Sequence, residues 1–173
     1  MAAHFLVLID RQQRQLRVPV KAMIHPVTHA ILPCGGMPQL FGGDCPAGST
    51  AAILLRQSVQ DLSRRTLAMT ADVWMRYYSL NGSNFYWAHQ EHWQVTGLPW
   101  SAPESAAALE ISTIATVDLS RFAYRNSDAE ILQILYQQTG SGTAPPQARL
   151  EFEQTPLPTA FVRLIRMAAA GQV

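Results

Sequence analysis

Residues 32–65 read LPCGGMPQLFGGDCPAGSTAAILLRQSVQDLSRR, and this stretch places two glycine pairs in front of a long helical pattern. A short apolar run at 30–33 precedes the first pair, and residues 42–43 form the second. A strand, a glycine loop and a helix in this order bring backbone amides close to a phosphate or a metal. The candidate ligand- or phosphate-binding residues are therefore Gly35, Gly36, Gly42 and Gly43. The alternative is that they are turn glycines, which adopt positive φ without any ligand.

The helix that follows has one apolar side, and Ser49 or Thr50 can cap its first turn. Helical spacing predicts that the following side chains face a sheet: Ala52, Leu55, Val59 and Leu62. The remaining polar side chains are expected on the other side: Arg56, Gln57, Gln60, Asp61 and Arg64. Positions 57, 60 and 61 would share one face, because residues three and four apart are neighbours on a helix. An ordinary amphipathic core helix with a solvated polar face is the alternative interpretation.

The stretch resembles the signature of the Nudix hydrolases. That signature reads Gly, five residues, Glu, seven residues, Arg-Glu, an apolar residue, any residue, Glu-Glu, any residue, Gly. With Arg56 as the anchor, Gly42 falls on the first glycine and Asp61 on the last acidic position. The other positions differ from the signature: Gly48, Gln57 and Gln60 stand where glutamates are expected, Ser58 where an apolar residue is expected, and Ser63 where the last glycine is expected. Residues 32–36, LPCGG, are similar to the Leu-Pro-Gly-Gly lead-in of the family.

The resemblance implies an α/β (α+β) fold, a Nudix-like mixed β-sheet with helices packed on it, in a single domain over residues 1–173. It also implies enzymes that cleave nucleotide-linked pyrophosphates with Mg²⁺ held by helix carboxylates. Magnesium prefers charged oxygen ligands, and here only Asp61 keeps a carboxylate. We therefore expect a non-catalytic domain with no catalytic residues, no metal and no cofactor. The alternative is a divergent Nudix hydrolase that uses a divalent metal at Asp61, together with Arg56, Gln57 and Gln60, and recruits Glu91 or Glu110.

Aromatic residues are concentrated between positions 74 and 100. Side chains alternate along a strand, so some of these rings would face outward and serve as anchors for a protein. The candidate partner-binding residues are Trp74, Tyr78, Tyr86, Trp87, Trp93 and Trp100. We expect the partner to be another protein or a second copy of the chain, with this domain as an adaptor, regulator, assembly component or toxin-neutralising protein. Burial of the rings in the core and nucleotide binding without turnover are the alternatives.

Composition narrows the classes of function. A chain of 173 residues with 48% hydrophobic and 14% charged residues suits one domain with its own core. The net charge of +1 predicts no nucleic-acid partner. No apolar stretch reaches the roughly 20 residues that span a bilayer, and the N-terminus lacks a basic signal region. Two cysteines form no disulfide framework, so we expect a cytoplasmic protein; their spacing from His25 and His29 does not suit zinc.

The remaining elements follow from local patterns. Residues 5–9 and 15–20 predict a hairpin, as do 72–79 and 84–92 around the Asn81-Gly82 turn. On these strands Tyr77 and Tyr78, and likewise His89 and His92, are expected on opposite sides. Further predictions are a connector at 21–28, strands at 30–32, 109–114 and 150–152, and loops at 97–106 and 139–148. A short helical segment is predicted at 117–122, and helices are predicted from a capping box at 127 to 138 and over 159–170.

Overall fold

The computed structural model describes residues 2–69, 74–99 and 106–173. A six-stranded mixed sheet forms the centre of this part of the molecule. Its strands are β1 (Ala3–Asp10), β2 (Gln15–Lys21), β3 (Phe41–Asp44), β5 (Met75–Leu80), β6 (Ser83–His89) and β8 (Ile111–Asp118). Their order in the sheet is β5-β6-β1-β2-β8, and β3 also pairs with β1. A separate antiparallel pair consists of β4 (Arg65–Met69) and β7 (Trp93–Pro99). The predicted α+β mixed sheet is confirmed.

Helices cover both faces of the sheet. They are α1 (Ala51–Ser63), α2 (Ala106–Leu109), α3 (Asp128–Thr139), α4 (Pro146–Glu153) and α5 (Leu157–Ala169). No helix in the described ranges is long and apolar enough to cross a bilayer. Strand β1 is parallel to β6 and antiparallel to β2 and β3, so it contacts three strands of the sheet. This central position places β1 beneath helices on either side.

The two faces of β1 belong to two different cores. Val7 and Ile9 contribute to the larger cluster, which contains residues of α3, α4 and α5. Leu6 and Leu8 contribute to the smaller cluster, which includes Leu55 of α1. Side chains alternate across a strand, and both of its faces are buried here. This double burial explains why the sequence of β1 is a continuous apolar run rather than an alternating one.

Several predicted elements are confirmed. The β1–β2 and β5–β6 hairpins form in antiparallel register, the second with Asn81 and Gly82 in its turn. Helix α3 begins with the predicted capping box of Ser127 and Glu130. The expected short helical segment is the 3-10 turn Leu119–Arg121, and the terminal helix is α5.

Other elements differ from the prediction. Residues 30–32 form no strand and make only an isolated bridge between Ile31 and Ile24. Residues 97–99 belong to β7 rather than to a loop, and residues 150–152 are helical within α4. Glu110 precedes β8 instead of lying inside it. The expected loop 139–148 contains a 3-10 turn, Ser141–Thr143, and the start of α4. Proline is favoured in the first turn of a helix, so Pro145 and Pro146 are compatible with the start of α4 inside the predicted loop.

The expected opposite placement of Tyr77 and Tyr78 is wrong. The register between β5 and β6 shifts between Arg76 and Tyr78, as a β-bulge requires. Both tyrosines consequently pack against the larger core cluster. One extra residue in a strand breaks the alternation on which the prediction rested.

Candidate functional site

Helix α1 is fixed at its start and packed along one side. The hydroxyl of Thr50 accepts a hydrogen bond from the amide of Ile53 at 3.3 Å, as expected for an N-cap. Leu55 and Val59 are both 0% exposed in the smaller core cluster. Ala52 and Leu62 are half-buried, so the predicted apolar side is confirmed at its centre. The helix ends at Arg64, which adopts a left-handed conformation.

The predicted polar side of α1 is wrong at two positions. Gln60 is 6% exposed and Asp61 is 1% exposed, whereas Arg56 and Gln57 are exposed. Both buried side chains have partners within the chain. Helix α1 contacts β4 and α2 as well as β1 and β3, so more than one of its sides is covered. The residues that correspond to the signature of the family therefore do not present a common face to solvent.

Three of the four candidate glycines form backbone hydrogen bonds within the chain. The amide of Gly35 donates to the carbonyl of Leu32 at 3.2 Å, and that of Gly36 donates to the carbonyl of Lys21 at 2.7 Å. Gly42 and Gly43 lie in β3 rather than in a loop. The amide of Gly42 donates to Ser58 Oγ at 2.7 Å. Three of the four amides are therefore engaged within the chain and do not point freely at a ligand.

A cleft of about 240 Å³ lies between α1, β3 and the segment before β8. Its polar lining consists of Lys21, Gln39, Asp44, Ser58 and Glu110. Lys21 Nζ lies 3.6 Å from Glu110 Oε2, and the Lys21 side chain is largely buried. A second groove of about 210 Å³, bordered by Asp61, continues along β8. Of the two glutamates considered for recruitment, Glu110 lines this cleft, whereas Glu91 pairs with Arg11 elsewhere.

The described residues contain no group of three or more His, Cys, Asp or Glu side chains placed to hold a metal ion. Cys34 and Cys45 are free thiols, and burial raises the pKa of Cys34, which disfavours a reactive thiolate. His89 and His92 were expected on opposite faces of one strand, which is wrong. His92 lies in the 3-10 turn Gln90–His92, and the two imidazole centroids are 5.9 Å apart. The turn breaks the strand alternation between them.

The predicted aromatic surface is largely covered by the chain itself. Trp93 is buried, which excludes it as an exposed anchor. The half-buried rings each contact a neighbour within the chain. Tyr78 stacks on Phe85, Tyr86 Oη lies 3.0 Å from Nδ1 of His4, Trp87 contacts His89, and Trp74 lies near Trp93. Trp100 lies outside the described residues.

Among the described residues, four of the nine large apolar side chains that are exposed lie close together on residues 22–33, which we call the apolar loop. Its exposed side chains are Met23, Ile24, Val27 and Ile31, the last being 87% exposed. The loop contains no Asp, Glu, Lys or Arg. The sequence prediction treated most of this stretch as a connector. The available signal is a run without Asp, Glu, Lys or Arg that contains several large apolar residues.

Backbone hydrogen bonds hold the apolar loop in one conformation. The amide of His25 donates to the carbonyl of Ala30 at 2.8 Å, and the amide of Leu32 donates to the carbonyl of Met23 at 2.9 Å. Nδ1 of His25 accepts from the amides of residues 27 and 28, each at 3.1 Å. The exposed side chains are therefore presented by an ordered loop.

Comparisons with solved structures identify Nudix hydrolases among the similar chains. A Nudix hydrolase from Nitrosomonas europaea is 11% identical, with a TM-score of 0.44, over 88% of this chain and 85% of its own. A protein of Listeria monocytogenes described as a Nudix hydrolase is 13% identical, with a TM-score of 0.42, over 99% and 97%. No family model matches the sequence, and none of the curated proteins matches it. The structural neighbours belong to the family that the sequence resembles.

Proposed function

We propose that this chain is a non-catalytic Nudix-like domain that binds another protein through the apolar loop. One observation carries the proposal: four large apolar side chains are exposed together on an ordered, uncharged loop. Isolated exposed apolar residues are ordinary, but grouped ones mark interaction sites. Depletion of charge is typical of the centre of a protein interface.

The order of the loop favours binding. Because its backbone is fixed by internal hydrogen bonds, little conformational entropy is lost when a partner binds. The exposed branched side chains, Ile24, Val27 and Ile31, are suited to fill apolar pockets of a partner. Truncation of such an anchor often weakens binding by about 2 kcal/mol or more.

The burial of Asp61 supports a domain without hydrolytic activity. A carboxylate that holds Mg²⁺ has to share the ion with substrate oxygens and water. With 1% of Asp61 exposed, this carboxylate would have to leave its present environment before it could meet an ion. Gln57 and Gln60 supply neutral amides in place of charged ligands. No cofactor is needed for the proposed role.

A cross-linking experiment tests the loop. A benzoylphenylalanine at position 31 is illuminated in an extract of the source cells, and the adducts are identified by mass spectrometry. The same probe at Ile53, which is 57% exposed on α1, is the matched control. We expect a defined adduct only from position 31, and its loss when Val27→Asp is added to a folded protein. Identical adducts from both positions, or none from position 31, would contradict the proposal.

The alternative function is a divergent Nudix hydrolase that acts on a nucleotide-linked pyrophosphate. It is favoured by the cleft beside α1, which brings Lys21, Asp44 and Glu110 to one cavity. A panel of nucleoside diphosphate derivatives with Mg²⁺ discriminates between the two functions. We expect no release of phosphate or mononucleotide above background, and no rise of Tm with Mg²⁺. Turnover that Asp61→Asn abolishes would establish the hydrolase.

A further inference from the structure

We propose that the outer edge of β8 binds an extended, uncharged segment of another protein by β-strand addition. This site is separate from the exposed side chains of the apolar loop and uses backbone groups instead. Within the described ranges, β8 is the last strand of the sheet on its side. Such an edge presents unpaired N–H and C=O groups to an extended chain.

The register with β2 shows which groups of β8 point outward. Pro19 lies opposite Ile114 and has no N–H, and its carbonyl accepts from the amide of Gln39 on the other side of β2. Pro19 and Ile114 are therefore a non-hydrogen-bonded pair. Because the two kinds of pair alternate along an antiparallel ladder, Ile114, Thr116 and Asp118 direct their backbone groups away from β2.

The bonds of Asp118 agree with this orientation. Its amide donates to Gln138 Oε1 at 2.7 Å, and its carbonyl accepts from Gln138 Nε2 at 3.3 Å. The side-chain amide of Gln138, on α3, thus pairs with the edge of β8 as a peptide group of another strand would. Ile114 and Thr116 carry the equivalent outward groups without such a cap among the described residues.

Two of the usual protections against edge pairing, charged side chains and proline, do not occur in the part of β8 before Asp118. From Ile111 to Val117 it contains no charged residue and no proline. The exposed side chains Ser112, Thr113 and Thr116 carry hydroxyls, and two of the three are β-branched. The side chains that flank the outward groups of Ile114 and Thr116 are therefore neutral, so we expect a segment whose central side chains are uncharged.

A second copy of β8 fits this edge less well than a short segment does. In a two-fold pairing centred on Ala115, residue 112 of the second strand would lie opposite Asp118, where Gln138 already sits. The second strand would then continue toward α3. A segment of about three to five residues can pair with Ile114 and Thr116 and end before Gln138. The occupant we propose is therefore an extended segment of a different protein.

A designed peptide serves as the probe: acetyl-Lys-Thr-Val-Thr-Val-Thr-Lys-amide, with lysines only at its ends. Amide exchange of the protein is followed by NMR with and without the peptide. We expect exchange at Ile114 and Thr116 to slow by about tenfold or more, while Ala115 and Val117, already paired with β2, change little. Protection without this alternation, or no protection, would overturn the proposal.

Proline substitutions give a matched pair of variants. Thr116→Pro removes an outward amide. This variant is expected to keep the fold and to bind the peptide about tenfold more weakly. Ala115→Pro removes an amide that pairs with Val18 and is expected to lower Tm strongly. If Thr116→Pro binds the peptide as tightly as the unaltered protein does, the proposed site at the edge of β8 is wrong. If this variant does not fold, the exchange pattern of the unaltered protein decides.

The proposals for the edge of β8 and for the apolar loop can be tested independently. Ile31→Asp changes an exposed loop side chain and is expected to leave the exchange pattern with the peptide unaltered. Conversely, Thr116→Pro is expected to leave the cross-link from position 31 intact. A loss of both in either variant would show that the two surfaces are one site, which would overturn the separate edge site proposed here.

Discussion

The hydroxyl of Ser58 on α1 accepts a hydrogen bond of 2.7 Å from the backbone amide of Gly42 on β3. Gly42 pairs with Phe5 of β1, so this bond joins the helix to the centre of the sheet. Ser58 occupies the apolar position of the Nudix signature, and Gly42 occupies its first glycine. The departure at position 58 therefore has a structural role in this chain.

Ser58→Ala is expected to destabilise the protein by about 1–3 kcal/mol. The substitution leaves the partly buried amide of Gly42 without its acceptor. Urea unfolding measures the free energy difference. Gln57→Ala, at an exposed neighbour on the same helix, is the control and should change stability by less than about 0.5 kcal/mol. Equal effects of the two substitutions would show that the Ser58 bond contributes nothing.

Gly42→Ala is expected to be far more damaging than Gly48→Ala. A Cβ on Gly42 would lie 2.0 Å from the carbonyl oxygen of His4, and the residue has a φ of +123°. A Cβ on Gly48 would meet nothing within 4 Å, which leaves only the strain of its φ of +82°, about 1–2 kcal/mol. Soluble yield and Tm measure both effects. A folded Gly42→Ala protein with the Tm of Gly48→Ala would contradict the close packing.

Leu55→Ala is expected to destabilise by about 2–5 kcal/mol because it creates a cavity in the smaller core. Ile53→Ala, on the exposed side of the same helix, removes a similar number of atoms with little effect. Both are measured by urea unfolding. A loss at Ile53 equal to that at Leu55 would mean that the solvent-facing side of α1 is covered in solution.

Features of this fold that depend on local interactions are predicted well from the sequence. Thr50 and Ser127 mark helix starts because a side-chain oxygen bonding a free amide is a local interaction. The Asn81-Gly82 turn is equally local. Gln60 and Asp61 are buried, and the periodicity of α1 does not predict this. Helix α1 also contacts β4 and α2, and α2 is distant from it in the sequence.

The surroundings of the candidate site also depend on contacts between residues that are distant in the sequence. The aromatic cluster is visible in the sequence, but its cover is provided by distant residues such as Arg163, which lies over the ring of Tyr78 at 4.6 Å. The sequence predicts a connector at 21–28 and a short strand at 30–32, and neither prediction indicates an ordered loop with exposed apolar side chains. The order of the apolar loop depends on Nδ1 of His25 and on backbone bonds that close the loop, which composition does not reveal.

Because the imidazole of His89 is buried, we expect the protein to lose stability in mild acid. His89 is 8% exposed, and burial lowers its pKa below the ordinary value of 6.5, with Arg11 and His92 acting in the same direction and Glu91 opposing them. The unfolded chain therefore takes up a proton at a higher pH than the folded chain does. Stability is fully present above about pH 6.5 and decreases as the pH falls through the folded pKa.

His89→Gln replaces this group with one that does not titrate, so its free energy of unfolding should decrease less than that of the natural protein between pH 7.5 and 5.5. Urea unfolding at several pH values measures the difference. The carboxylates with lowered pKa values, Glu91 among them, act at lower pH, below their ordinary values near 4. His4, whose pKa burial also lowers, is present in both proteins and leaves a shared residual slope. Parallel curves for the two proteins would show that His89 is not responsible.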